Sequence, residues 1–155
     1  MDLSLALHEL GHAVAMRAEG AGGLHLLARD DHYEVIADEP GADPDAAAMT
    51  RTMIAGPMAE LSYRAGLDIA AVVQRVEAHG PSAFAACACS VLDLEPMNAL
   101  PAHMTPIARD LLTVAAHQVA PVLSEGLAAV TRDQVMALAR AIREARPGDR
   151  IDLPI

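Results

Sequence analysis

Apolar residues recur at helical spacing over residues 3 to 19, where Leu3, Leu7, Leu10 and Val14 share a face, and Gly20, Gly22 and Gly23 end the run. The period then changes. Leu24, Leu26 and Leu27, and later Val35 and Ile36, flank the polar stretch Arg29-Asp30-Asp31-His32, which predicts a short β-hairpin or two small strands between residues 24 and 37. Residues 39 to 44 read as a loop, with Asp43 as N-cap and Pro44 at the first position of the next helix. That helix runs to about Ala65 with a kink or break at Gly56-Pro57, and Gly66 ends it. A helix over Leu67 to His79 follows, and another from Gly80-Pro81-Ser82 through Cys87 and Cys89 to Leu94. Residues 95 to 104 read as a loop, and Thr105-Pro106 opens a long helix bent at Pro121. Thr131-Arg132-Asp133-Gln134 is a capping box for a last helix to about Arg146.

The expected fold is therefore mainly α, with one small β-hairpin or sheet element. No repeat or low-complexity tract interrupts it, so residues 1–146 read as a single domain and 147–155 as a C-terminal tail. Apolar residues make up 53% of the 155, enough to exclude disorder. With two Tyr, one Phe and no Trp, the core must be built from Ala, Leu, Val and Met, which suits close-packed helices.

Charge narrows the function classes. Twenty-one acids against eleven Lys plus Arg give a formal charge of −10, which argues against nucleic acid and against an anionic membrane surface. No run suggests a membrane helix or a signal peptide. Cys87 and Cys89 are poorly placed for a mutual disulfide on one helix and read as reduced core residues, so a cytoplasmic setting is expected. Met49 and Met53, one turn apart, are expected to face the core.

The chemistry lies in His8-Glu9-Leu10-Gly11-His12, an HExxH pattern inside the first helix. Histidines one turn apart share a helix face, so both imidazoles can reach one ion. Imidazole nitrogen suits zinc, and a catalytic zinc needs three protein ligands and a water. Glu9 is placed to act as general base on that water, whose pKa zinc brings towards about 7. The alternative is a helix carrying two surface histidines and a solvated glutamate. Candidates for the third ligand are Asp68, Glu60, His25, His32 and His79. Asp68 would otherwise be an N-cap, His79 a helix-end cation, and His25 and His32 polar strand or turn residues. Nothing in the local pattern singles out His103 or His117.

His8-Glu9-Leu10-Gly11-His12-Ala13-Val14 resembles the metal-binding helix of the FtsH-type zinc peptidase domain. In that family a small β element follows, then a helix with a Gly-Gly-Arg-x-Ala-Glu-Glu pattern, then a Gly-rich turn leading to an aspartate ligand. Ile54-Ala55-Gly56-Pro57-Met58-Ala59-Glu60-Leu61 resembles the second motif, with Pro57 where arginine is usual. Ala65-Gly66-Leu67-Asp68-Ile69-Ala70 resembles the third, which implies Asp68 as third ligand beside His8 and His12. The helices from about 105 to 146 are compatible with the remainder of that domain. The AAA+ ATPase module and membrane segments of the full proteases have no counterpart here.

The resemblance implies a stand-alone zinc-dependent peptidase that acts on unfolded polypeptides or peptides, with Glu9 catalytic and a separate ATPase or adaptor as possible partner. Two other readings stand beside it. One is a non-catalytic, metal-containing interaction module, which would have no need of Glu9. The other is an ImmA/IrrE-like regulatory HExxH peptidase, whose usual further histidine and glutamate-alanine-rich helix are not found here. Tyr33, Tyr63 and the spare histidines are the available oxyanion partners.

Overall fold

A computed structural model describes residues 1–155. Its elements are α1 (Ser4–Ala18), β1 (Gly22–Ala28), β2 (Tyr33–Glu39), α2 (Ala46–Ala65), α3 (Ile69–His79), α4 (Val91–Asn98), α5 (Thr105–Ala128), α6 (Arg132–Glu144) and β3 (Arg150–Asp152). Short 3₁₀ turns at Gly80–Phe84 and Ala88–Ser90 lead into α4, and a third precedes α5. The fold is mainly α with one small antiparallel sheet, as the hydrophobic pattern predicts.

β1 and β2 form the expected hairpin, Leu26 opposite Val35 and Ala28 opposite Tyr33. The segment expected as a tail does more than end the chain. Residues 150–152 pair antiparallel with β1, Ile151 opposite Leu26, so the sheet order is β2-β1-β3 and β2 has one free edge. A three-residue strand carries too little alternation to show in a sequence; its one buried residue is Ile151.

Helix boundaries follow local chemistry. The N-cap of α2 is Asp45 rather than Asp43, its side chain accepting from the Ala48 N–H at 2.8 Å. Gly66 ends α2 in the left-handed conformation, φ 62°. Gly56-Pro57 and Pro121 do not split their helices, because burial of the surrounding faces outweighs one lost backbone bond. The capping box at Thr131 forms as the sequence predicts. The helix expected over 80–94 is replaced by the two 3₁₀ turns, and α4 begins only at Val91 and runs through Pro96.

Two apolar clusters hold the chain together. The larger joins α1, α2, α3 and α5 through residues such as Val14, Ile54, Met58, Val72, Leu112 and Leu123. The smaller joins α1 to the sheet and α6 through Leu3, Leu10, Leu26, Leu138, Ile142 and Ile151. Each fully buried Leu or Ile contributes about 1.5–3 kcal/mol by transfer from water. Because α1 belongs to both clusters, two of its sides are fixed by packing, and the side bearing His8, Glu9 and His12 is left for a cavity.

Gly11 sets how closely α1 meets α2: a Cβ built there would lie 2.5 Å from the Ala55 carbonyl oxygen. No helix is long and apolar enough to cross a membrane.

Candidate metal centre

His8 and His12 project from α1 one turn apart, their rings edge-on with centroids 4.7 Å apart. Their Nε2 atoms lie 3.1 Å from each other. The third group that meets them is Asp93, in the first turn of α4. Its Oδ2 is 2.8 Å from His8 Nε2 and 3.2 Å from His12 Nε2. The three ligand atoms thus form a compact triangle. Tetrahedral zinc with bonds of about 2.0–2.1 Å sets its donors about 3.3 Å apart, close to these spacings. Two imidazole lone pairs and a carboxylate oxygen converging on one point need positive charge between them, from protons or from a cation.

The surroundings orient both imidazoles towards the triangle. His12 Nδ1–H donates to the Thr52 carbonyl at 2.7 Å, which leaves its Nε2 lone pair aimed at the triangle. Gly56 makes room for that ring, since a Cβ there would fall 2.4 Å from His12 Nε2. His8 Nδ1 lies 3.3 Å from Glu60 Oε2, near enough for ion pairing but off the line of a hydrogen bond, so this buried nitrogen is otherwise unsatisfied. Glu60 is completely buried and bonds to Arg64 Nε at 2.7 Å, to the Ser90 hydroxyl at 2.8 Å and to the Cys89 N–H at 3.3 Å. Those last two bonds tie the 3₁₀ turn at Ala88–Ser90 to α2 and so carry Asp93 to the histidines.

The electrostatics show the same demand for positive charge, which a proton on His8 meets in the absence of an ion. Burial of His8 disfavours its charged form, but Asp93, Glu60 and the Glu9 charge together lift its pKa to about 9. Burial pushes the Asp93 carboxyl up, and its contacts with His12 and His8 more than reverse that, holding it well below the usual carboxylate range. Glu60 is brought down to about 2, burial being overcome by His8, Arg64, Ser90 and Cys89. Glu9 moves the other way: burial raises its pKa, and the two imidazoles only partly offset this. A carboxylate raised towards neutrality is the stronger base.

The structure brings together three of the four residues expected at the site, His8, Glu9 and His12, and does not bring Asp68 there. Asp68 is the N-cap of α3, its Oδ1 accepting from the Ala71 N–H at 2.8 Å. The third group that meets the two imidazoles is Asp93, which the sequence reading missed. No local signal marks it: in a helix expected to run from Gly80 to Leu94, Asp93 falls at the end, and its place in a first helical turn exists only because the structure starts α4 at Val91. Glu60, weighed as a ligand, stands behind His8 instead.

Cys87 packs in the larger core, whereas Cys89 lines the cavity, because the 3₁₀ turns replace the helix that would have buried both. Met53 packs against the core, but Met49, in the first turn of α2, is 60% exposed at the cavity. His25 lies buried in β1 with Nδ1 3.2 Å from the Gly23 carbonyl, His79 ends α3, and His117 pairs with Glu77. The Tyr33 hydroxyl donates to the Ile142 carbonyl at 2.8 Å, and that of Tyr63 accepts from the Leu3 N–H at 3.4 Å. His32 lines the cavity, its Nδ1 2.6 Å from Asp31 Oδ1.

The triangle opens into a cavity of about 820 Å³ bounded by α1, the hairpin, the start of α2 and the segment 88–93. No family model, curated protein or solved structure matches this chain.

Proposed function

We propose that this protein is a zinc-dependent hydrolase of peptide bonds. The observation that carries the reading is the His8–His12–Asp93 triangle with Glu9 beside it, buried, lining the same cavity and not one of the three ligands. A purely structural zinc site fills all four positions with protein ligands, whereas a catalytic one leaves a position for water. Here three donors converge, and Glu9, a carboxylate whose pKa burial raises, lines the same cavity.

His8 Nε2, His12 Nε2 and Asp93 Oδ2 would hold the ion. Bound there, zinc supplies Lewis acidity and lowers the pKa of water. Glu9 accepts the proton of the attacking water and delivers it to the leaving amine. Thr52 and Glu60 keep the two imidazoles oriented through Nδ1. The free edge of β2 supports a peptide substrate over a small molecule. Tyr33, Glu34 and Val35 line the cavity from a strand paired on one side only, an arrangement that accepts an extended chain by backbone hydrogen bonding. The FtsH-type resemblance of the first two motifs points the same way, with the third ligand supplied by Asp93 in place of Asp68. A separate ATPase or adaptor would be needed to present folded substrates.

The test is elemental analysis of the purified protein together with a Glu9→Gln variant assayed on casein and short peptides. The wild type is expected to carry one zinc and to cleave. Glu9→Gln is expected to keep the zinc and lose about 10²–10⁴ in rate. Equal cleavage by both proteins, or none by the zinc-loaded wild type, overturns the reading.

A further inference from the structure

The cavity carries two features that the metal centre does not use. The first is charge. Apart from Glu9 and Asp93, its lining contains Glu19, Asp31, Glu34, Asp43 and Asp45 but only one Lys or Arg, Arg51. Asp45 caps α2, Glu19 pairs with Arg51, Asp31 with His32, and Glu34 with the half-exposed Arg29, while Asp43 has no ion-pair partner. Exposed ion pairs of this kind are weak and exchangeable, so a cation entering the cleft meets an excess of negative charge. The second feature is apolar. Met49, Val91 and Leu92 are 60%, 65% and 62% exposed, and all three line this cavity. Val91 and Leu92 immediately precede Asp93, so the apolar surface lies directly beside the metal triangle. Glu9, only 6% exposed and bonded to nothing, faces the same space.

We propose that the cleft selects peptide segments that pair a large aliphatic side chain with lysine or arginine, the aliphatic group lying on Met49, Val91 and Leu92 and the cation meeting the carboxylates of Asp31, Glu34 and Asp43. The inference rests on the peptidase reading for the fate of the bound peptide, but not for its binding. Carboxylates on the hairpin and the β2–α2 loop act over a longer range than the apolar contacts and set the preference on approach. Screening by salt therefore weakens the charge preference and leaves the aliphatic preference.

The experiment uses the zinc-loaded Glu9→Gln protein of residues 1–155 and three fluorescent peptides that share a central leucine and differ only in lysine, glutamine or glutamate flanks. Fluorescence anisotropy at about 0.02 M salt is expected to show the lysine peptide bound at least about tenfold more tightly than the glutamine peptide, and the glutamate peptide weakest. At about 0.5 M salt the ratio should fall to about two. Adding Asp43→Asn and Glu34→Gln should narrow the low-salt ratio, and serine in place of the central leucine should weaken all three peptides. Equal affinities, a preference for glutamate, or a lysine preference untouched by the two rim substitutions overturns the inference. Cleavage of the same peptides by the wild type separates the two readings. Tight lysine-selective binding without cleavage overturns the peptidase and keeps the selectivity, whereas cleavage with no charge preference does the reverse.

Discussion

Asp68 and Asp93 both stand at the start of a helix, and the protein uses them in opposite ways. Asp68 follows the left-handed turn at Gly66, takes an extended backbone, and gives its carboxylate to the Ala71 N–H of its own helix. Asp93 sits inside the first turn of α4, caps nothing, and turns its carboxylate to two imidazoles more than 80 positions earlier in the chain. One residue serves the backbone beside it and the other serves a site assembled from three helices. The lesson is that an aspartate is available as a ligand when no nearby N–H claims it, and a helix N-cap is the position where an N–H most reliably does.

Breaking the ligand half of the comparison should have the larger effect. Asp93→Ala is expected to lower zinc affinity more than about 100-fold, because even groups behind the ligands are worth 10–100-fold. Competition against a chromogenic chelator measures this, and unchanged affinity would remove Asp93 from the site. Glu60→Gln comes next, at about 10–100-fold in the same titration, since it weakens the charge behind His8 without touching the ion. Asp68→Ala should be the mildest. Zinc affinity should stay within about twofold, while chemical denaturation should show a loss of about 1 kcal/mol, the usual worth of an N-cap. A large fall in zinc affinity in Asp68→Ala would restore it as a ligand.

What the sequence made legible follows from the range of the interactions involved. His8 and His12 are four positions apart on one helix, so spacing alone determines that they share a face, with Glu9 next to the first of them. The hairpin, the Gly66 stop and the Thr131 capping box are equally local and formed where expected. Asp93 depends on two bonds from Glu60 to the backbone and side chain of a 3₁₀ turn 29 and 30 residues away, which no periodicity records. β3 likewise depends on β1 offering a partner to a strand too short to announce itself. One-turn spacing to Met53 points Met49 to the core, and an expected helix does the same for Cys89, but the surface they meet is the wall of a cavity that α1, the hairpin, α2 and residues 88–93 create together.

The helix that carries Asp93 has a single buried residue, Leu94, whereas α1 buries nine of its fifteen. Local opening is easiest where few apolar contacts are lost, so the two halves of the His8–His12–Asp93 triangle differ in how readily they leave it. Seen as a mechanical assembly, the histidine half is a fixed jaw and the aspartate half a hinged one, fastened at its root by Glu60. An ion held between them would act as a clasp that closes a chain segment of some eighty residues, and the segment 88–98 would be where the protein stiffens when the clasp is shut.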